Sequence, residues 1–262
     1  MIIAQVSDIH AAQDNDNLSR FDRALAWLDL IEPDALVLTG DLIDDDWRDG
    51  YTAIATRLNL RTYPSFILPG NSDDCDAMKS ILHCDYWRNT FTESALHFVA
   101  DIGELRLIGL DSTLQGNPAG SVAEHFPWLK NALDTDGPRD SILFLHHPVI
   151  RSGIQPLDQI MCLDAEKLAE FLSHHPRKPL AITAGHVHRP VAGSLSGIPA
   201  YICGSICPEN PLWFGSENIP PVNDCLSFMI HRYTDGELVS HPILLHYYLM
   251  INGSLTISFL LI

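Results

Sequence analysis

The stretch AITAGHVHRP, residues 181–190, begins as an apolar run and ends in two histidines, His186 and His188, one residue apart. Its apolar start reads as a buried strand. On an extended chain, residues i and i+2 point to the same side, so the spacing predicts two imidazoles projecting together from a strand end. Alone, such a pair is either chemistry or two surface histidines that share a side. The other strand ends decide between these readings.

Four more apolar runs end in the same way. IIAQVSD leads to Asp8 and His10, ALVLTGD to Asp41 and Asp44, PSFILPGN to Asn71, Ser72 and Asp73, and SILFLHH to His146, His147 and Pro148. Three of the turns carry glycine (Gly40, Gly70, Gly185) just before the polar residue. Each block has a plain structural reading. Asp41 or Asp44 fits a helix N-cap, Asn71 fits a left-handed turn, and His146 or His147 fits a satisfied surface histidine. Five such blocks, all at strand ends, are not accounted for in that way. In open α/β sheets, ligands bind at the carboxyl ends of the strands, so the blocks are expected to converge. Oxygen and imidazole donors without thiolate suit Mn, Fe, Zn or Co. A carboxylate can bridge two such ions held ~3.5–4 Å apart.

Between the blocks, strand and helix patterns alternate. Residues 18–31 place Leu18, Phe21, Leu25 and Leu28 at helical spacing, and Pro33 follows. A second helix is expected around residues 51–60. This β-α-β-α-β rhythm predicts parallel strands with crossover helices. Residues 97–112 read as two strands joined by a tight turn at Ile102-Gly103-Glu104. Helices 122–133 and 164–175 each lead into a strand, the second being the opening stretch. The last third is strand-rich: VAGSLSG, IPAYICGS, CLSFMIHRY and ELVSHPILL.

The chain has 262 residues and a formal net charge of −17. That balance argues against a nucleic-acid polymer as partner, because phosphate-tracking grooves are basic. A small anionic substrate remains compatible, since bound metal ions reverse the local field. The start MIIAQVSDIH has no basic segment ahead of an apolar one, so no secretory signal is expected. The six cysteines are scattered without a CxxC pair and read as free, mostly buried thiols in a reducing cytoplasm, a Cys203–Cys207 disulfide being the weaker alternative. Residues 244–262 are almost uncharged. They are short for a membrane span and are broken by Asn252, Gly253, Ser254, Thr256 and Ser258. Asn252-Gly253 followed by alternating residues predicts a β-hairpin rather than an anchor. An exposed apolar hairpin calls for a cover, so a second subunit is the expected contact. Residues 1–243 are therefore expected to form the catalytic domain and 244–262 an apolar hairpin or tail.

The ordered set Asp8-x-His10, Gly40-Asp41-x-x-Asp44, Gly70-Asn71-x-Asp73, His146-x-Pro148 and Gly185-His186-x-His188 resembles the signature of the calcineurin-like metallophosphoesterases. Within that family, LHHPV and GHVHRP most resemble the branch of class III cyclic-nucleotide phosphodiesterases and a bacterial glycerophosphodiesterase. The resemblance implies an α/β fold: a four-layer αββα sandwich of two mixed β-sheets flanked by helices. It also implies homo-oligomers. By position it puts Asp8, His10 and His188 on one metal, Asn71, His146 and His186 on a second, and Asp41 between them. His147, Asp44 and Asp73 then orient ligands. The expected reaction is hydrolysis of a small phosphodiester by a metal-activated hydroxide, with Asn71 also donating to the substrate. A phosphomonoesterase on the same site is the main rival, and a metal-free scaffold of the same fold a lesser one. One position departs from the family. A histidine commonly follows the asparagine, and Ser72 stands there instead. Serine donates a hydrogen bond but is a poor general acid, which leaves His147 or the metals to take over that role. Arg151 and Arg189, next to two of the blocks, either touch phosphate or stand in solvent. The proline-rich stretch 208–224, with Trp213 and Phe214, is either a cover over the site or an ordinary packed loop.

Overall fold

The computed structural model describes residues 1–89, 95–215, 218–222 and 225–245. Strands β1 (Ile2–Val6), β2 (Ala35–Thr39) and β3 (Ser65–Leu68) pair in parallel, connected by helices α1 (Asn17–Ile31) and α2 (Asp49–Leu58). This is the crossover rhythm expected from the sequence. After β3 comes α3 (Cys75–Leu82), which the sequence reading does not include, although Cys75, Met78, Ile81 and Leu82 lie at helical spacing. Its signal is a cap: the Asp74 carboxylate accepts from the N–H groups of Asp76 and Ala77. Strands β4 (Phe98–Ile102) and β5 (Leu105–Gly109) form the expected hairpin, turning at Gly103 with φ +54°. Then follow α4 (Phe126–Asp134), β6 (Asp140–Phe144), the one-turn α5 (Gln155–Asp158), α6 (Ala165–His174) and β7 (Ala181–Ala184). The helix expected over 122–133 is split, Ala123–His125 forming a 3-10 turn before α4 starts at Phe126 with Pro127 in its first turn. Hairpins β8–β9 (Val191–Leu195, Ile198–Ile202) and β10–β11 (Leu226–Thr234, Glu237–Leu245) complete the described chain.

The strands form two mixed sheets. One has the order β11-β10-β1-β2-β3 and the other β4-β5-β6-β7-β9-β8. Alternation along the strands then sets the layers. Ile3, Val37 and Leu68 of the first sheet pack with Phe98, Leu107 and Phe144 of the second, forming the core between the sheets. Their neighbours Ala4, Leu36 and Leu38 face the opposite way, onto Phe21 and Leu25 of α1 and Tyr51 and Ile54 of α2. On the far side, Leu143 and Ile182 meet Trp128 and Leu129 of α4 and Leu168 and Leu172 of α6. Helices, sheet, sheet and helices make the four layers. Among the described residues no helix is long and apolar enough to cross a membrane. The hairpin expected at 244–262 lies outside the described residues beyond Leu245. All six cysteines are free, so the Cys203–Cys207 disulfide is not formed.

Two histidines away from the strand ends are held neutral. His97, fully buried and stacked on Trp128 at 4.3 Å, accepts the Asp111 N–H through Nδ1 at 2.9 Å. Burial, reinforced by nearby His125, pushes it from 6.5 down to about 3. Burial holds His231 at about 3 as well. In the unfolded chain each takes up a proton near 6.5, so the unfolded state gains protons first and stability falls as pH drops below that value. Each such group contributes a slope of about 1.4 kcal/mol per pH unit once the pH is well below 6.5. Denaturant unfolding at pH 7, 6 and 5 is expected to show a shallower loss in His97→Gln than in the parent chain, although the variant is less stable at pH 7. Equal pH dependence in both would contradict this account.

Candidate metal centre

Six loops meet at the carboxyl ends of the central strands. Asp8 and His10 follow β1, Asp41 follows β2, Asn71 follows β3, His146 follows β6, and His186 and His188 follow β7. A sixth loop, after β5, brings the Ser112 hydroxyl against His147, while Asp111 turns away to accept from the N–H groups of Leu96 and Thr113. It ends an apolar strand as the other five do, so the same rule applied to LIGLDS would have found it.

The sequence expectation for His186 and His188 needs correction. They do not project from an extended strand, because β7 stops at Ala184. Both sit in the left-handed region, at φ 73° and 57°. So do Asp8, His10 and Asp41, at φ 55°, 48° and 51°. Side chains rarely accept this backbone, and it clusters where function over-determines the structure. In the loops after β1 and β7, left-handed residues alternate and curl the chain so that Asp8 with His10, and His186 with His188, turn into one pocket. Close approach of the loops requires two of the glycines. A Cβ on Gly70 would stand 2.2 Å from the Asp41 carboxylate, and one on Gly185 would stand 1.9 Å from the Ser7 hydroxyl.

Ligand atoms of Asp8, His10, Asp41 and His188 all lie within 4.8 Å of one another. His188 Nε2 is 3.4 Å from Asp8 Oδ1 and 3.1 Å from His10 Nε2. A second set adjoins it. His146 Nε2 lies 3.2 Å from His186 Nδ1 and 3.1 Å from Asn71 Oδ1. Asp41 stands between the sets: its Oδ2 is 3.3 Å from His10 Nε2 and 3.4 Å from His146 Nε2.

The electrostatics are those of a cation site. Asp8 and Asp41 are fully buried or nearly so. Burial works against their ionisation, yet the surrounding imidazoles keep Asp8 below, and Asp41 well below, the ordinary carboxylate range. Burial likewise pushes His10 down, but the Asp41 and Asp44 carboxylates outweigh it and raise it to about 11. The same contest, against Asp8 for His188 and Asp41 for His146, leaves them at about 10 and about 9. The carboxylates thus demand positive charge beside them. Two pairs of ring nitrogens, His10 with His188 and His146 with His186, meet at 3.1 and 3.2 Å, where either a shared proton or a cation is needed between them. His186 Nε2 is buried with no partner in the protein. A divalent metal ion, which accepts several lone pairs at once, fits these donors.

Around this centre, neighbours fix orientations. Asp44 Oδ1 meets His10 Nδ1 at 2.6 Å, and the Thr39 carbonyl meets His146 Nδ1 at 2.7 Å. Asp73 accepts from the N–H groups of Leu42 and Gly70 and from the Tyr51 hydroxyl, bracing two loops rather than touching the centre. The Ser72 N–H donates to Asp41 Oδ1 at 2.8 Å, while its hydroxyl is buried without a partner. His147 lies beside His146 and His186, but both its ring nitrogens are engaged, with the Ser112 hydroxyl at 2.9 Å and the Pro118 carbonyl at 3.2 Å. Burial, reinforced by His146 and His186, holds it well below its ordinary value, so it stays neutral. Arg189 neither stands in solvent nor points free. It pairs with Glu209 at 3.1 Å and donates to the Asn210 carbonyl at 2.8 Å, tying the 208–215 stretch to the histidine loop. Arg151 is exposed. The two aromatics of that stretch differ, Trp213 being half-buried and Phe214 exposed.

Comparison with known proteins agrees with this geometry. A relative in Arcobacter nitrofigilis, named a probable glycerophosphodiester phosphodiesterase, is 30% identical over 201 residues, 72% of each chain. A probable cyclic nucleotide phosphodiesterase of Rhodococcus erythropolis is 32% identical over 184 residues, covering 67% of this chain and 58% of its own. Among solved structures, a dimetal phosphatase from Danio rerio matches with a TM-score of 0.72 at 14% identity, covering 92% of this chain and 95% of that one, a likeness of fold. The calcineurin-like phosphoesterase model spans residues 1–190 and so takes in all five polar blocks, and the chain belongs to that family.

Proposed function

We propose that the chain is a phosphodiesterase that uses two divalent cations drawn from Mn, Fe, Zn or Co. Asp8, His10 and His188 would hold the first ion and Asn71, His146 and His186 the second, with Asp41 between the two sets. The observation that carries this reading is the position of Asp41 Oδ2, nearly equidistant from one histidine of each set. When bound, the ions supply the charge that lowers the pKa of water and neutralises the phosphoryl oxygens.

The chain's own residues do the rest. Asp44 and the Thr39 carbonyl keep protons on the far nitrogens of His10 and His146, so their Nε2 atoms stay available to the centre. Asn71 alone among the ligands is exposed, so its amide NH2 can donate to a substrate phosphoryl oxygen while Oδ1 faces the centre. His147 has no free nitrogen with which to move a proton. It supports the loop instead, and the general-acid role weighed for it passes elsewhere. The unpartnered Ser72 hydroxyl is the donor this chain offers where the family places a histidine.

A diester substrate is supported by the names of the two relatives and by the acidic chain, which suits a phosphate with one charge rather than two. Cyclic nucleotides and glycerophosphodiesters are the candidate classes. The free cysteines support a reducing compartment such as the cytoplasm. Edge strand β11 exposes Val239 and Leu244, which supports contact between copies of the chain.

Loaded with Mn²⁺, the protein is expected to hydrolyse bis(p-nitrophenyl) phosphate faster than p-nitrophenyl phosphate. His188→Ala should lower that rate by more than the ~10–100-fold typical of losing an outer partner. Faster hydrolysis of the monoester would make the protein a phosphatase. Metal should also stabilise the fold. At about 100 times its dissociation constant, one ion adds about 2.7 kcal/mol. The thermal midpoint is expected to rise with Mn²⁺ in the parent chain and far less in Asp41→Asn. A midpoint indifferent to every divalent ion would overturn the metal-centre reading and favour a scaffold.

A further inference from the structure

A further side chain reaches this centre from outside the five polar blocks. Cys207 lies beyond β9, and its Sγ sits 3.2 Å from His188 Nδ1. The thiol is 4% exposed and its placement is enforced. The Cys207 N–H donates to the Asp8 carbonyl at 2.9 Å, and the preceding Ile206 N–H to the Ser7 carbonyl at 3.1 Å. This segment is thereby fastened to the turn that carries Asp8. The Cys207 carbonyl accepts from the Ser205 hydroxyl at 2.8 Å and from Arg20 Nη2 at 3.4 Å. Arg20, itself 2% exposed, also donates through Nε to the Ile206 carbonyl.

The reason for such fastening follows from the three histidines that face the centre through Nε2. Each has a far nitrogen, Nδ1, that must carry the proton if Nε2 is to offer its lone pair. For His10 the acceptor at Nδ1 is the Asp44 carboxylate. For His146 it is the Thr39 carbonyl. For His188 the atom in that place is sulfur. The thiol's own S–H has the Pro208 carbonyl at 3.6 Å, which leaves sulfur lone pairs toward the imidazole.

We infer that Cys207 is the positioning residue of His188: its sulfur accepts the Nδ1 proton and so fixes the tautomer and ring angle with which Nε2 meets the metal. The inference rests on the proposed role of His188 as a ligand. Sulfur is a weaker acceptor than a carboxylate, so His188 is the least strongly polarised of the three. Arg20 and Ser205 act one step further out, holding the Cys207 backbone.

The test uses the full chain and Zn²⁺, with affinity read by competition against a coloured chelator. Three variants separate acceptor from filler. Cys207→Val keeps apolar bulk and removes the acceptor, Cys207→Ala removes both, and Cys207→Ser restores a polar acceptor. Valine and alanine are expected to weaken Zn²⁺ binding 10–100-fold, the range for outer partners of ligating histidines. Serine should stay close to the parent. In nitrogen-15 spectra of the Zn²⁺-loaded protein, the His188 Nδ1–H signal should persist with cysteine or serine and exchange away with valine. Parent-like affinity in Cys207→Val would make the thiol mere packing and overturn the inference while the metal site stands. Equal weakening in all three variants, with equal loss of thermal stability before metal is added, would likewise overturn it. A parent chain that takes no Zn²⁺ would overturn the ligand assignment itself.

Discussion

Two carboxylates, Asp8 and Asp41, are withdrawn from water at the end of the sheets and kept ionised. Burying an unpaired carboxylate costs several kcal/mol after relaxation, so the surroundings must return positive charge or donated protons. The structure returns both. The His186 N–H donates to both oxygens of Asp8, at 3.1 and 3.0 Å, and the Ser72 N–H donates to Asp41. Imidazoles from three different loops crowd the remaining oxygen lone pairs. Asp41 is the pivot, because its Oδ1 is held by the backbone while Oδ2 is left to face His10 and His146 together. Remove the need to compensate these charges and there is no reason for six loops to converge.

That convergence is paid for in backbone strain. Five left-handed residues that are not glycine cost about 1–2 kcal/mol each, less for Asp, which tolerates the region. Their sum is comparable to the net stability of a whole domain, about 5–15 kcal/mol. The strands beneath must therefore be secure, and they are. The residues of β2 are all buried, as are the last four of β1 and of β6. A buried polar chain below the centre adds to this. Gln5 donates to Thr39 and to the Ala184 carbonyl and accepts from Thr183, pinning β1 to the second sheet. Rigid strands and strained loops divide the work, the former fixing positions and the latter aiming side chains.

Much of this was legible in the sequence because burial and function act on alternate, separable signals. Apolar runs of four to six residues located the strands, and polar residues directly after them located the loops. The helix α3 was not legible. Its apolar residues Cys75, Met78, Ile81 and Leu82 do fall at helical spacing, but eight residues span only about two turns, too short a run to separate from a loop without the Asp74 cap. The shape of the His186–His188 turn was also hidden, since it forms against Ser7, which Gly185 packs on, and Asp8, to which the His186 N–H donates, 178 residues or more away in the chain. The contribution of Cys207 could not be read either. A lone cysteine beyond a strand looks like a core thiol until the fold sets it against an imidazole from another loop. Arg189 misled for the same reason, because its partner Glu209 belongs to a stretch with no periodic pattern.

The central claim is that one carboxylate, Asp41, joins two metal positions. Anomalous diffraction from crystals of the Mn²⁺-loaded protein, recorded near the manganese edge, addresses it most directly. Two peaks about 3.5–4 Å apart are expected, one on each side of Asp41 Oδ2, the first among Asp8, His10 and His188 and the second among Asn71, His146 and His186. A single peak, or a pair that leaves Asp41 uncoordinated, would contradict the account.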